Sequence, residues 1–221
     1  ILALLVLQTT ELPDRLAKVS PWIDMVVRAK SEVFADLAAQ RHRRFVKTHT
    51  LLDGIPTDPR ITYVVVGRDP RDVAISMDNH VANMEIEVFL ADRARAAEVD
   101  GIELEPLVPS PPPSPDPAER FWRWIDEDAD PRGTPQSLAF TVGHLRSFWD
   151  APDDLDVVWL HYDDLLADLG GEMRRLADRL GIVVPEGRWP ELVEAATLDS
   201  MRAQAATTVP GRSAAFWKDP G

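Results

Sequence analysis

The 221-residue sequence contains no cysteine. That excludes disulfides, thiolate zinc sites, iron–sulfur ligation and cysteine nucleophiles. It also lacks an apolar run long enough to cross a bilayer, which takes about 18 residues or more. The longest early run, Ile1 to Leu7, falls short, and no basic stretch before it or small-residue cleavage site after it marks a secretory leader. These absences set the expectation of a cytoplasmic protein with no membrane span. Lysine is scarce as well: Lys18, Lys30, Lys47 and Lys218 are its only occurrences, and arginine carries the remaining positive charge.

Charge of that sign is in deficit overall, with 24 Lys and Arg against 37 Asp and Glu, a formal net charge of -13. Such a field works against duplex nucleic acid and anionic membrane as partners. A small anionic ligand is still allowed, because a few local charges set the potential in a cleft. Positive charge is in fact unevenly placed: Arg41, Arg43, Arg44, Lys47, Arg60, Arg68 and Arg71 crowd one segment. At 45% hydrophobic residues, the chain can bury roughly 70% of its unfolded surface, unlike a disordered polymer.

Three short apolar runs predict strands: Arg44 to Lys47, Ile61 to Val66, and Leu155 to His161. The continuous β-branched character of the second predicts burial on both faces. Helical spacing is found over Trp22 to Gln40, Asp69 to about Met84, Pro117 to Asp126, Gln136 to Trp149 and Asp163 to Leu180. Gly181 is placed to stop the last of these. Strands alternating with helices predict an α/β fold, a parallel sheet with helices on both faces. The proline-rich stretch from Glu105 to Pro117 reads as a surface connection or an acceptor-side lid.

Two segments carry candidate chemistry. In Val66-Gly67-Arg68-Asp69-Pro70 a buried strand ends and a helix begins, with Asp69 as N-cap and Pro70 at the first helical position. Asp72 is spaced to supply a further acceptor for that helix start. The C-terminal edge of a parallel sheet beside a helix N-terminus favours anions. Arg68 brings a planar fork suited to two phosphate oxygens. Ser76, two turns from Asp69, offers a hydroxyl on the same side. The second segment is Phe45-Val46-Lys47-Thr48-His49. In an extended chain Lys47 and His49 point to one side. A neighbouring cation favours the neutral imidazole, which can accept a proton. Taken singly, the first segment also reads as a well-capped helix with surface arginines, and the second as a solvated strand end. Together they describe transfer of an anionic group from a nucleotide to a hydroxyl.

These two segments, running from Arg44 to Gly54 and from Tyr63 to Ser76, resemble the central signatures of the cytosolic-type sulfotransferases, with bacterial and mycobacterial members the most similar. Leu160-His161-Tyr162-Asp163-Asp164-Leu165 resembles the strand-end motif whose tyrosine contacts adenine. Ala196 to Arg202 resembles the helix start that closes over the base. The resemblance implies a P-loop-kinase-like α/β fold and 3′-phosphoadenosine 5′-phosphosulfate as co-substrate, with no metal required. By the same resemblance His49 is the general base and Lys47 neutralises the bridging oxygen. Arg68 and Ser76 hold the 3′-phosphate, and Tyr162 and Thr197 flank the adenine. His144 matches an acceptor-side segment, where a satisfied helix histidine is the plainer reading. The acceptor implied is a hydroxyl of a small molecule or glycolipid.

The family's phosphosulfate loop would precede Ile1 and its glycine-rich C-terminal signature would follow Lys218. Residues 1–221 are therefore read as one sulfotransferase-like domain, incompletely covered at both ends. Two alternatives stand beside this reading. One is a small-molecule kinase, which would need a Gly-x-x-x-x-Gly-Lys-Ser/Thr loop. The other is a non-catalytic nucleotide-binding module.

Overall fold

The structure is a computed structural model that describes residues 1–104, 113–127, 130 and 137–208, with side chains to residue 204. In chain order the described elements are α1 (Leu2–Leu7), α2 (Leu16–Val19), α3 (Lys30–Ala39), β1 (Thr62–Gly67), α4 (Pro70–Asn83) and α5 (Ile86–Asp100). They continue with α6 (Pro117–Asp126), α7 (Leu138–Trp149), β2 (Asp156–His161), α8 (Tyr162–Ala167), α9 (Leu169–Arg179), α10 (Trp189–Ala195) and α11 (Leu198–Thr208). They fall into two compact units. A sheet unit comprises His49–Ala82 and Leu107–Ala167, and a helical unit comprises Ile1–Thr48, Asn83–Pro106 and Asp168–Gly221.

In the sheet unit β1 and β2 pair in parallel, with Tyr63 opposite Val157, Val65 opposite Trp159 and Gly67 opposite His161. A parallel pair requires a crossover, here the helical chain between them. Thr62 donates its hydroxyl to Asp156 at 2.7 Å across the first register pair. Tyr63 and Val65 on one face pack against Phe148 of α7 and Leu52, with Leu145, Val157 and Trp159 around them. Tyr63 and Phe148 meet at 6.2 Å between ring centroids, and the tyrosine hydroxyl accepts from the Asp58 N–H at 3.1 Å. Ser147 ties α7 to the turn before β1 by accepting from the Leu52 N–H at 3.1 Å.

Burial on both faces of β1 does not hold. Val66 is 53% exposed, so the strand alternates once the α7 face has taken Tyr63 and Val65.

Asp69 caps α4 by accepting from the Arg71 N–H at 2.8 Å, with Pro70 first in the helix. Asp116 and Ser137 do the same for α6 and α7. Arg120 grips Asp78 of α4 through two bonds of 2.7 and 2.8 Å.

The helical unit has its own core, in which Leu5, Val33, Met173, Leu176 and Leu192 are essentially inaccessible. Burying a Leu or Met side chain fully stabilises by about 1.5–3 kcal/mol. On α9 the buried residues Met173, Leu176 and Ala177 follow helical spacing. Gly181, at φ 63, closes this helix as the sequence indicates, with Ile182 N–H bonding to Ala177 at 2.8 Å and Gly181 N–H to Asp178 at 3.1 Å.

Three elements differ from the sequence reading. The helix expected over Trp22 to Gln40 is confined to α3. Its start is fixed by Asp100, whose carboxylate accepts from the backbone of Lys30 (2.5 Å) and Ser31 (3.2 Å), while Trp22 is drawn into a bridge with Lys47. The strand expected at Arg44 to Lys47 reduces to that bridge: Lys47 N–H bonds to Pro21 at 2.9 Å and Ile23 N–H bonds to Lys47 at 3.0 Å. The helix expected over Asp163 to Leu180 divides into α8 and α9 at Asp168. That residue turns out of the helix and caps α9 through the Gly171 N–H at 2.8 Å. A β-carbon on Gly171 would lie 2.2 Å from the Asp168 carboxylate, so a side chain there would make the capping carboxylate shift. Most of the proline-rich stretch, residues 105–112, lies outside the described residues, as does Gln136.

Candidate active site

The two strands of the sheet unit end side by side at Gly67 and His161. Beyond those ends opens a cleft of about 740 Å³, lined by Gly67, Arg68, Trp149, Trp159, His161 and Asp164 among others. This is where a parallel sheet receives ligands, because both chains turn away there and leave a crevice. Trp149 and Trp159 meet edge to face at 5.8 Å, and Trp149 is 76% exposed.

Arg68 enters this cleft directly from β1. Its guanidinium carbon sits 4.4 Å above the ring centroid of Tyr162, the first residue after β2. Strand pairing thus brings together two residues that lie far apart in sequence. Among the described residues the Arg68 Nε is buried with no hydrogen-bond partner. One terminal nitrogen lies 3.5 Å from Asp72, longer than the 2.7–2.9 Å of a strong charge-assisted bond. The fork is therefore held in place by an aromatic face while much of its donor capacity stays unfilled. A phosphate presents oxygens that match that capacity.

Around it, Asp69 is occupied by Arg71, whose side-chain and backbone bonds hold its carboxyl down at about 2. The imidazole of His161 accepts the Asp163 N–H through Nδ1 at 3.3 Å, which puts the neutral ring's proton on Nε2. Ser76 is exposed on α4, whose buried residue is Ala74. His144 lies between Phe140 and Phe148 on α7, at 5.9 and 5.2 Å between centroids, in keeping with the plainer reading of a packed helix histidine. His49 opens the sheet unit and is exposed, three residues before the turn Leu52–Gly54.

Lys47 and Thr197 belong to the helical unit. The Lys47 ammonium lies 4.1 Å over the ring of Trp22. Partial burial pushes its pKa down, and the nearby Asp24 carboxylate opposes that shift. Asp24 also accepts the Thr48 hydroxyl at 2.9 Å. Thr197, at the start of α11, donates its hydroxyl to Glu194 at 2.8 Å and accepts from the Ser200 N–H at 3.3 Å. Pairing thus unites Arg68 and Tyr162 within one unit, whereas Lys47 and Thr197 are fixed in the other.

Sequence reasoning missed Trp22 and Asp24 behind Lys47, and it assigned no role to Trp149, Trp159, His161 or Asp164. The last four become visible only when β1 and β2 are known to be neighbours. Among the described residues, no three His, Asp or Glu side chains converge as a metal centre would require. No helix among them is long and apolar enough to cross a membrane.

The sulfotransferase domain profile matches residues 5–214. The chain belongs to the sulfotransferase family. It is similar to the glycolipid sulfotransferase of Mycobacterium bovis, at 38% identity over 236 residues covering 98% of this chain and 69% of that protein. The glycolipid sulfotransferase of Mycobacterium tuberculosis is 37% identical over 235 residues, with the same coverage. The crystal structure of mouse sulfotransferase SULT7A1 complexed with PAP aligns at a TM-score of 0.55 and 17% identity, over 79% of this chain and 53% of that one. At that identity the likeness is one of fold, and it supports the α/β, P-loop-kinase-like class. This sulfotransferase chain thus spans about two thirds of the length of its mycobacterial relatives and about half of the mouse protein.

Proposed function

We propose that the protein transfers a sulfuryl group from 3′-phosphoadenosine 5′-phosphosulfate to a hydroxyl of its acceptor. The observation that carries this is the ring-backed, under-filled guanidinium of Arg68 in the cleft at the strand ends. In this reading Arg68 receives the 3′-phosphate in bidentate fashion, and Ser76 adds a hydroxyl donor. Tyr162 and Thr197 flank the adenine. His49 takes the proton from the acceptor hydroxyl as the new sulfur–oxygen bond forms and the bond to the departing phosphate breaks. Lys47 neutralises the charge that collects on the bridging oxygen. Positioning and charge neutralisation then do most of the work, as in phosphoryl transfer.

Charge neutralisation at the reacting centre is assigned to Lys47, so no metal is part of the reading. The mycobacterial relatives named as glycolipid sulfotransferases support a glycolipid hydroxyl as acceptor, with a small-molecule hydroxyl the other choice. The family profile, running through both units, supports reading them as parts of one catalytic domain. The reading places the reaction in the cytoplasm.

The test is transfer of radiolabelled sulfate from the phosphosulfate donor to a panel of glycolipid and phenolic acceptors. Label on an acceptor hydroxyl is the expected result. Tight binding of the nucleotide with no transfer to any acceptor would favour the non-catalytic module, and ATP turnover would favour the kinase.

A further inference from the structure

The Lys47 ammonium does not stand alone in the helical unit. A backbone bridge ties Lys47 to Trp22, with the Lys47 N–H bonding to the Pro21 carbonyl at 2.9 Å and the Ile23 N–H to the Lys47 carbonyl at 3.0 Å. That pairing sets the two side chains next to each other, and the ammonium rests 4.1 Å over the indole ring. Asp24, two residues beyond Trp22, accepts the Thr48 hydroxyl at 2.9 Å, so its carboxylate is held beside the residue that follows Lys47. The turn carrying Asp24 is anchored in its own right from α3, where the Lys30 ammonium donates to the carbonyls of Ile23 and Met25.

We infer that Trp22 and Asp24 are positioning residues for Lys47, the indole face and the carboxylate together fixing where its charge stands. The inference rests on the assignment of Lys47 to the bridging oxygen given above. A lysine carries its charge on a flexible stem, and only the protonated form neutralises an oxyanion. Burial works against that form, and among the described residues Asp24 is the charge that counters it. The ring acts differently: its attraction for a cation is short-ranged and tied to the ring face, so it selects a place for the ammonium. Two contacts made by one short segment thus give Lys47 both its location and its protonation state.

Lysine scarcity makes the test direct. The four lysines, Lys18, Lys30, Lys47 and Lys218, can each be followed by NMR after reductive 13C-dimethylation, which keeps the charge. The full chain is titrated as wild type, Trp22→Phe, Trp22→Leu, Asp24→Asn and Asp24→Glu, with Lys47→Arg identifying the Lys47 signal and circular dichroism monitoring the fold. In wild type the Lys47 methyl signals are expected upfield of the others, because they lie over the indole. Trp22→Leu is expected to abolish that shift and Trp22→Phe to reduce it, so the second variant decides if the first does not fold. Asp24→Asn is expected to lower the pH at which Lys47 loses its proton while Lys18 and Lys218 stay unmoved, and Asp24→Glu to restore it. Sulfate transfer by the unmethylated proteins should fall by about ten- to a hundredfold in Trp22→Leu and Asp24→Asn, the scale for a displaced catalytic group. An upfield shift that survives both Trp22 variants, a Lys47 titration unchanged in Asp24→Asn, or full turnover in both variants overturns the inference and leaves the role of Lys47 standing. If the signals move as expected but Lys47→Met transfers sulfate as fast as wild type, the assignment of Lys47 fails and the inference goes with it.

Discussion

The guanidinium of Arg68 rests 4.4 Å above the ring of Tyr162, and the two belong to segments joined only by the pairing of β1 with β2. A cation over an aromatic face gains about 0.5–1 kcal/mol at an exposed site. Its larger consequence is orientation, since the stacked fork presents its edge nitrogens to a ligand. Arg68→Ala is therefore expected to weaken adenosine 3′,5′-bisphosphate by about ten- to a hundredfold, the value of hydrogen bonds to a charged group. Arg68→Lys should lose most of the same affinity, because a point charge cannot replace a planar fork. Tyr162→Phe keeps the ring and should bind as wild type. Calorimetry decides, and equal affinity for Arg68→Lys and wild type would remove the bidentate role.

His49 is exposed at the head of the sheet unit, where an acceptor hydroxyl can reach it. General-base assistance contributes about 10²–10⁴ in rate. His49→Ala is expected to lose turnover by that factor with donor affinity unchanged. Steady-state kinetics beside direct binding separates the two effects. A variant that keeps full turnover would assign the proton to another group.

Legibility of the fold followed the range of each signal. α4 was readable because its start is marked locally, with Asp69 as cap and Pro70 at the first helical position, and α6 because its helical spacing runs on from Pro117. Gly181 was readable because only a left-handed residue closes α9 as it does. By contrast, α3 is capped by Asp100, about seventy residues away in the chain, and nothing near Lys30 announces it. The break at Asp168 looks like one more polar helix position until its carboxylate meets Gly171. In the site, Arg68 was legible from its place after a strand. Its partners Tyr162 and Asp72 were readable only as an adenine contact and a cap, since their contact with Arg68 depends on pairing and rotamer.

The helical unit supplies a test of its packing. Leu192 of α10 is wholly inaccessible, whereas Val183 is 86% exposed. Truncation of a buried leucine costs about 2–5 kcal/mol, because the lost transfer energy is joined by a cavity. Leu192→Ala should therefore lower the urea midpoint markedly. Val183→Ala should stay within about 0.5 kcal/mol of wild type. Similar midpoints for the two variants would mean that α10 is not part of the core.

Asp69 gives the site a pH signature in stability. Its bonds to the Arg71 side chain and backbone lower its carboxyl from 3.8 to about 2. A carboxyl depressed in the folded state stabilises fully above its unfolded value, and that contribution is lost as pH falls toward the folded one. Asp69→Asn keeps an acceptor for the α4 cap but discards the charge. Wild type should accordingly exceed the variant in stability at pH 5, and the gap should narrow at pH 3. Because both side chains face water, the gap is small, in the manner of surface ion pairs. Urea midpoints at the two pH values measure it, and a gap that stays constant between them would show that the Arg71 pair does not hold Asp69 ionised.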